Sequence, residues 1–312
     1  MPVSVVIPCY NGRDFIAETL ESVLSQTTAV NEILVVDDGS TDDSASIVES
    51  FGTPVRLLQQ PNQGESVARN RGIEEASSDW IAFLDADDLW LPDKLEKQLA
   101  AVDDSRVVAV HTNVETFGTT NGVSQIQQVG AAERYKRSCL AAYNCFITPS
   151  SLIVRKDKCP RFAEWTQRGE DMLFALDLVA KGEIRLVNEP LTRYRRHPGG
   201  QSADGTGIID SHAALLTWLD QNAETISERE RREIDCARLQ ILIQNAWSRK
   251  ARRDWGAFWR YRVYLEEYAQ QHKEIQNDAL DVLLGNRIFP AWIYRLRDLV
   301  LGSPISQRTE SY

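Results

Sequence analysis

The sequence of 312 residues predicts an α/β fold: an open sheet of largely parallel strands flanked by helices, followed by a helical C-terminal region. Three observations carry this prediction. Up to about residue 112, short continuous apolar runs alternate with segments of helical periodicity. The runs are apolar on both faces, as in parallel strands covered by helices on either side. Polar and acidic residues gather where successive strands end, the rim at which open α/β sheets bind their ligands.

Val3 to Ile7 is the first β-branched run, and Ile33 to Val36, Val55 to Leu58, Trp80 to Leu84 and Val107 to Val110 are four more. Between them, Asp14 to Gln26 sets Ile16, Leu20, Val23 and Leu24 on one helical face. Asp42 to Ser50, Glu65 to Ala76 and Pro92 to Val102 are the next helices, the last with Pro92 at a first helical position. Residues 113–150 then read as turns, with a short hairpin around Asn121-Gly122 and a helix near Ala131 to Tyr143. A second α/β stretch follows, with a strand at Ser151 to Val154, a helix at Glu170 to Ala180 and short strands at Ile184 to Val187 and Leu191 to Arg195. The glycine-rich segment His197 to Gly207 reads as a loop, and from Ile208 to about Leu301 apolar residues recur at helical spacing. The expected organisation is a domain of residues 1–207, with halves 1–112 and 113–207, and a helical region 208–312.

Lys and Arg number 35 against 45 Asp and Glu, a formal net charge of −10 that argues against a uniformly basic nucleic-acid-binding protein. Hydrophobic residues at 43% and charged residues at 26% are those of a folded globular chain and exclude wholesale disorder. Cys9, Cys139, Cys145, Cys159 and Cys236 are odd in number and scattered, without a Cys-x-x-Cys pair, which suits a reducing, cytoplasmic setting. The opening residues lack a basic segment followed by an apolar one, and no run of 18 apolar residues occurs, so neither a secretion signal nor a membrane span is expected.

Pro8-Cys9-Tyr10-Asn11-Gly12, Asp37-Asp38-Gly39-Ser40 and Asp85-Ala86-Asp87-Asp88 each follow a predicted strand. Singly, these are ordinary turn and capping residues; at three strand ends of one sheet they converge on one rim and describe a site. Asp85-x-Asp87 lets two carboxylates approach a hard divalent cation such as Mg²⁺ or Mn²⁺, whose shell is completed by water and phosphate oxygens. Neither a Gly-x-x-x-x-Gly-Lys-Ser/Thr element nor a Gly-x-Gly-x-x-Gly after a strand is present, which removes support from Walker-type and dinucleotide-type sites.

Val5-Val6-Ile7-Pro8-Cys9-Tyr10-Asn11, Val35-Val36-Asp37-Asp38-Gly39-Ser40-Thr41-Asp42, Asn62-x-Gly64 with Ala68-Arg69-Asn70, and Leu84-Asp85-Ala86-Asp87-Asp88 together resemble the family-2 glycosyltransferases of the GT-A fold. The motifs occur in that family's order and spacing, and the resemblance covers about residues 3–200. It implies a Rossmann-like open mixed sheet and an inverting transferase that moves a sugar from a nucleotide-sugar donor, most often a UDP-sugar, to a hydroxyl acceptor with Mn²⁺ or Mg²⁺. By position it places Pro8, Tyr10 and Asn11 beside the nucleoside, Asp38 on the base, Arg69 near the nucleotide, Asp85 by the ribose or donor sugar, and Asp87 on the metal.

Gly169-Glu170-Asp171-Met172-Leu173-Phe174 resembles the family's Glu-Asp motif, which implies that Asp171 is the general base and Glu170 supports it. Acidic residues also suit the first turn of the helix that follows. Tyr194-Arg195-Arg196-His197, followed by Ser202, resembles the downstream Tyr-Arg-x-His segment. There His197 would ligate the metal or contact the diphosphate, and Arg195 or Arg196 would neutralise leaving-group charge, although a histidine in a basic loop is also often simply solvated. Trp90 is expected in the core rather than stacked on a sugar, and Asn144 to Ser151 falls on the acceptor side of the cleft.

From Ile226 to Val263, 10 Lys or Arg stand against 5 Asp or Glu, with Trp247, Trp255, Phe258, Trp259, Tyr261 and Tyr264 among or beside them. Arg287 to Arg297 has the same character, and Leu299 to Leu301 extends it. Such a pattern suits an anionic membrane surface or a phosphate-bearing acceptor, and equally a packed helix with a solvated basic face. The expected partners are thus a nucleotide-sugar donor, a glycan or lipid-linked hydroxyl acceptor and the inner face of a membrane, without nucleic acid. Nucleotidyl or polyol-phosphate transfer on a related fold and non-catalytic sugar-nucleotide binding are the alternatives; the presence of every matching acidic residue counts against the last.

Overall fold

Strands β1 (Val3–Cys9), β2 (Glu32–Asp37), β3 (Val55–Gln59) and β4 (Trp80–Phe83) alternate with helices α1 (Ile16–Leu24), α2 (Ser44–Ser50) and α3 (Glu65–Glu75) in a computed structural model that describes residues 1–119, 121–123, 135–142, 147–198 and 207–271. A two-residue strand β5 (Leu89–Trp90) and helix α4 (Lys94–Ala100) follow. Next come β6 (Val107–Gly118), β7 (Gly122–Val123), α5 (Arg137–Ala142), β8 (Leu152–Arg155), α6 (Glu170–Leu178) and β9 (Glu183–Arg196). Helices α7 (Gly207–Gln221), α8 (Glu228–Ala251) and α9 (Trp255–Gln271) complete the described residues.

The strands form one mixed sheet in the order β3-β2-β1-β4-β8-β6-β9-β5, with β7 paired on β6. β1 pairs in parallel with β2 and β4, and β2 with β3, as the continuous apolar runs predict. Every residue of β1 and β2 is buried because helices cover both faces. Val3, Val5 and Ile7 meet Ile16, Leu20 and Val23 of α1 on one side, while Val6, Leu34 and Phe83 join Ile73, Met172 and Leu173 on the other. Helix α3 lies so close to β1 that a Cβ on Gly72 would sit 2.2 Å from Val6 Cγ1.

The second half departs from its sequence pattern. β6 runs on to Gly118, past the point where turns were expected, and pairs in parallel with β9, a single strand where two short ones were expected. The ladder slips between Thr112 and Val114: Asn113 pairs with Pro190, and Asn188, Glu189 and Leu191 are passed over in the register. Bulges let a proline remain inside a strand, and no local periodicity announces them. β8 lies antiparallel between β4 and β6, which makes the sheet mixed. The hairpin at Asn121-Gly122 exists as the β6–β7 pair, and the described part of the helix near Ala131 to Tyr143 is α5. Asn144, Ser202 and the stretches 287–297 and 299–301 lie outside the described residues.

Compactness groups residues 1–238 as one unit and 239–312 as another, with the division inside α8. Leu215, Trp218 and Leu219 of α7 pack in the same core as α6. Arg238 ends the first unit fully buried, donating to Ala141 O at 3.0 Å, to Ile208 O at 3.3 Å and to Ser211 Oγ. No helix among the described residues is long and apolar enough to cross a membrane.

Glu32, at the start of β2, clamps three segments: it accepts hydrogen bonds from Ser4 Oγ (2.7 Å), Ser77 N (2.7 Å) and Ser77 Oγ (2.6 Å), and pairs with Arg56 (2.9 Å). Burial opposes its ionisation, but the donors from Ser77, Ser4 and Arg56 outweigh it and bring the pKa from 4.5 to about 2. A folded-state pKa below the unfolded one stabilises the fold above the unfolded value and loses that contribution as pH falls toward the folded one. Urea unfolding is therefore expected to show the wild type about 3 kcal/mol more stable than Glu32→Gln at neutral pH, with the gap closing between pH 4.5 and about 2.

Candidate active site

The loops leaving β1, β2 and β4 stand side by side at one rim of the sheet. In the first two, backbone and side chains interlock: Asn11, at φ 50°, accepts from Thr41 N (2.8 Å) and donates its own N–H to Ser40 Oγ (2.8 Å). Pro8 is buried within β1, paired with Val36, and Tyr10 beyond it is exposed. Asp37 accepts from Ser40 N. Asp38, expected on a base, is buried and holds the turn into α3: Oδ1 accepts from Gln60 Nε2 (2.8 Å) and Gln63 N (2.9 Å), and Oδ2 from Gly64 N (2.8 Å).

Arg69 in α3 is the buried cation of the site, with its side chain only 2% exposed. Its Nη2 donates to Asp85 Oδ1 at 2.7 Å and to Glu65 one turn earlier; Nη1 lies 3.5 Å from Asp171 Oδ1. The guanidinium sits 5.0 Å over the Phe162 ring, which closes it from below. Three carboxylates from α3, the loop after β4 and the first turn of α6 are thus drawn to one side chain. Burial disfavours the charge on Arg69, yet Glu65, Asp85, Asp171 and Glu170 hold its pKa well above the ordinary value. The same crowding acts in reverse on the acids. Burial pushes Glu65 up to about 7, with Arg69 opposing and Asp85, Glu170 and Asp87 adding. Asp171 is likewise raised well above the usual carboxylate range, by burial and by Glu170, Asp85 and Glu65, against the pull of Arg69.

Local backbone explains why α6 starts where it does. Gly169 has φ 81°, and a Cβ there would meet Ser211 at 2.6 Å, so only glycine turns the chain into Glu170 and Asp171 at this point. Glu170 is buried beside Asp171. Below Asp85, Ser150 accepts its backbone N–H on Oγ (3.0 Å) and the Trp90 indole on its carbonyl (2.7 Å), so Ser150 and the buried Trp90 are scaffold rather than lining.

The Asp87 loop is clasped by the end of β9. His197 Nε2 lies 2.9 Å from Asp87 Oδ2, and its ring packs on Phe15 with centroids 4.9 Å apart. Arg195 donates its backbone N–H to Asp88 Oδ1 (2.9 Å) and Nε to Asp87 O (2.7 Å), and pairs with Glu18 at 2.5 Å. Its guanidinium lies between the rings of Phe15 and Phe117, at 5.1 and 4.5 Å. Every group of Arg195 named here thus holds protein, and the loop carrying Asp87 is fixed by it. Asp88 is fully buried, with its pKa raised by burial, Asp85 and Asp87; Asp87 is raised by burial and by Asp85, with His197 opposing.

Among the described residues no three His, Cys, Asp or Glu converge as a complete metal cage. Asp87 and His197 nevertheless form a fitting pair of donors. Two adjacent ligands of an octahedral ion at about 2.1 Å stand roughly 3 Å apart, close to the observed 2.9 Å, and the remaining positions suit water and phosphate oxygens. Glu65, Glu18 and Phe162 are members of the site that the sequence motifs did not single out, while Asp88 stood in the Asp85–Asp88 motif without an assigned role. Glu65 was legible as the i, i+4 partner of Arg69, whereas Glu18 meets Arg195 across 177 residues and leaves no local signal.

Residues 4–159 match the family model described as glycosyl transferase family 2. The chain belongs to this family. An uncharacterized glycosyltransferase of Rickettsia felis is 42% identical over 200 residues, 62% of this chain and 33% of that protein. The UDP-Glc:alpha-D-GlcNAc-diphosphoundecaprenol beta-1,3-glucosyltransferase WfaP of Escherichia coli is 31% identical over 210 residues, 65% of this chain and 80% of its own length. The family-2 chain thus spans about a third of the length of the rickettsial relatives it matches. Its GT-A fold is shared with S. aureus TarS residues 1–349 (TM-score 0.62, 21% identity, covering 80% of this chain and 73% of that one). It is shared also with the mannosyltransferase PcManGT of Pyrobaculum calidifontis, solved with GDP-Man and Mn²⁺ (TM-score 0.58, 18% identity, covering 91% and 78%).

Replacing Arg69 by Met keeps its bulk but leaves Glu65, Asp85 and Asp171 without their common cation. Chemical denaturation is expected to show a loss of about 3–5 kcal/mol at pH 8, because breaking a buried pair strands the remaining charges. The loss should shrink toward pH 5, since Glu65 and Asp171, whose pKa values stand above their ordinary ones, then take up protons.

Proposed function

We propose that this protein is an inverting, divalent-metal-dependent glycosyltransferase that moves a sugar from a nucleotide-sugar donor, in the first instance a UDP-sugar, to a hydroxyl of a glycan or lipid-linked acceptor. The observation that carries the reading is the single buried Arg69 linking Asp85 to Asp171, beside the Asp87–His197 donor pair on the same rim. The names of relatives support its finer points: WfaP is a UDP-glucose-dependent enzyme acting on a diphosphoundecaprenol acceptor, TarS has been solved with UDP-GlcNAc, and PcManGT with GDP-Man and Mn²⁺. A reducing cytoplasmic setting suits the free cysteines Cys9, Cys159 and Cys236.

In this reading the acceptor oxygen forms a bond to the anomeric carbon, the bond from that carbon to the diphosphate oxygen breaks, and its electron pair leaves with the nucleoside diphosphate. Asp171 takes the hydroxyl proton; a carboxylate held above its ordinary pKa is a stronger base, and Arg69 at 3.5 Å keeps it oriented. Glu170 supports it from the same helical turn. Asp87 and His197 would hold the cation, which supplies positive charge to the departing diphosphate. Pro8, Tyr10 and Asn11 border the nucleoside, while Asp38 shapes the base pocket through the backbone it pins at Gln63 and Gly64. Asp85 lies by the ribose or donor sugar. Arg195 acts as a positioning residue for Asp87 rather than on the diphosphate itself.

Asp171→Asn is expected to lower transfer by about 100-fold or more while leaving UDP affinity, measured by calorimetry, nearly unchanged. Wild-type turnover by this variant would overturn the base assignment. Asp87→Ala should weaken UDP binding only when Mn²⁺ is present. For the wild type, kcat/KM should rise with pH along a limb displaced above the ordinary carboxylate range, because Asp171 must lose its proton to act. A panel of nucleotide sugars, scored by thermal stabilisation with and without Mn²⁺, identifies the donor.

A further inference from the structure

Large hydrophobic side chains that stand exposed are few among the described residues, and three of them lie on α9: Trp255, Trp259 and Val263, at 50%, 51% and 50% exposure. Their spacing of four residues puts them in one line along the helix. The buried face of α9 is a separate set, Ala257, Phe258, Tyr261, Leu265 and Tyr268. The helix therefore already has its core contact, and the indole stripe is additional to it.

Charge follows the stripe. From Arg249 to Arg262 the only acid is Asp254 against six basic residues. Arg249 pairs with Asp254 at 3.0 Å and Arg262 with Glu266 at 2.8 Å. Lys250, Arg252, Arg253 and Arg260 are exposed around the Trp255 end of the line. The whole chain carries −10, so the segment Arg249–Arg262 leading into and through the first half of α9 is the local exception, before Glu266 and Glu267 follow. A single nucleic-acid strand would find two π-faces but no third at Val263. Indoles in line with an aliphatic side chain, bordered by arginines, match the boundary between acyl chains and anionic headgroups.

We propose that α9 is a docking surface for an anionic lipid bilayer, with Trp255, Trp259 and Val263 entering the headgroup boundary and Arg252, Arg253 and Arg260 meeting lipid phosphates. None of these residues has a role in the chemistry proposed for the strand-end rim. The test is vesicle co-flotation of the full chain. Binding to vesicles containing phosphatidylglycerol is expected to be at least about 10-fold tighter than to pure phosphatidylcholine, and to be lost at about 0.5 M salt. It should also be lost in Trp255→Ala/Trp259→Ala and, independently, in Arg252→Glu/Arg260→Glu, with circular dichroism and UDP affinity unchanged. Absence of binding to the anionic vesicles overturns the proposal, as does undiminished binding by both variants. A concentration-dependent dimer that the Trp variant dissolves would overturn it as well, since a second copy would then be the occupant.

Discussion

The site depends on one buried guanidinium. Arg69 is reached by acids from three separate segments, and its charge opposes the repulsion among Glu65, Asp85 and Asp171 at such proximity. The ion pair therefore joins the two halves of the catalytic unit: α3 and the loop after β4 belong to the parallel half, α6 to the mixed half. The half proposed to bind a donor and the half proposed to hold the base are linked by electrostatics as well as by the sheet.

The parallel half was legible because its signals are local. Continuous apolar runs, helical faces and acidic strand ends are all readable within a few residues, and Val3 to Ile7, Ile33 to Val36 and Trp80 to Leu84 became β1, β2 and β4 almost unchanged. The long pairing of β6 with β9 was not legible, since it depends on residues some 75–80 positions apart and on an irregularity around Pro190. Residue types at the rim were readable as motifs; their assignments were less so. Asp38 and Arg195 show how far a motif reaches: it marks a position at the rim, while the backbone groups that each side chain also holds are visible only in the fold.

Two different clasps hold the site. Around Arg69 the members are carboxylates that disfavour one another, and the cation balances them. Around Asp87 the members are mostly neutral or already paired: Thr19 Oγ1 donates to Ala86 O and Asp88 O, and Phe15 is shared by His197 and Arg195. The first clasp rests on charge balance, and the second is reinforced by aromatic packing and backbone hydrogen bonds.

The two-residue strand β5 has a bearing on how such a protein can diverge. Leu89 and Trp90 pair with Arg193 and Thr192, so the loop Asp85–Asp88 and the strand end bearing Arg195 and His197 are tied to one another at fixed register. An inserted residue on either side would slide Asp87 past His197 and part the donor pair. A change of chain length is therefore least tolerable in this corner and easier in connections that the ladder does not clamp.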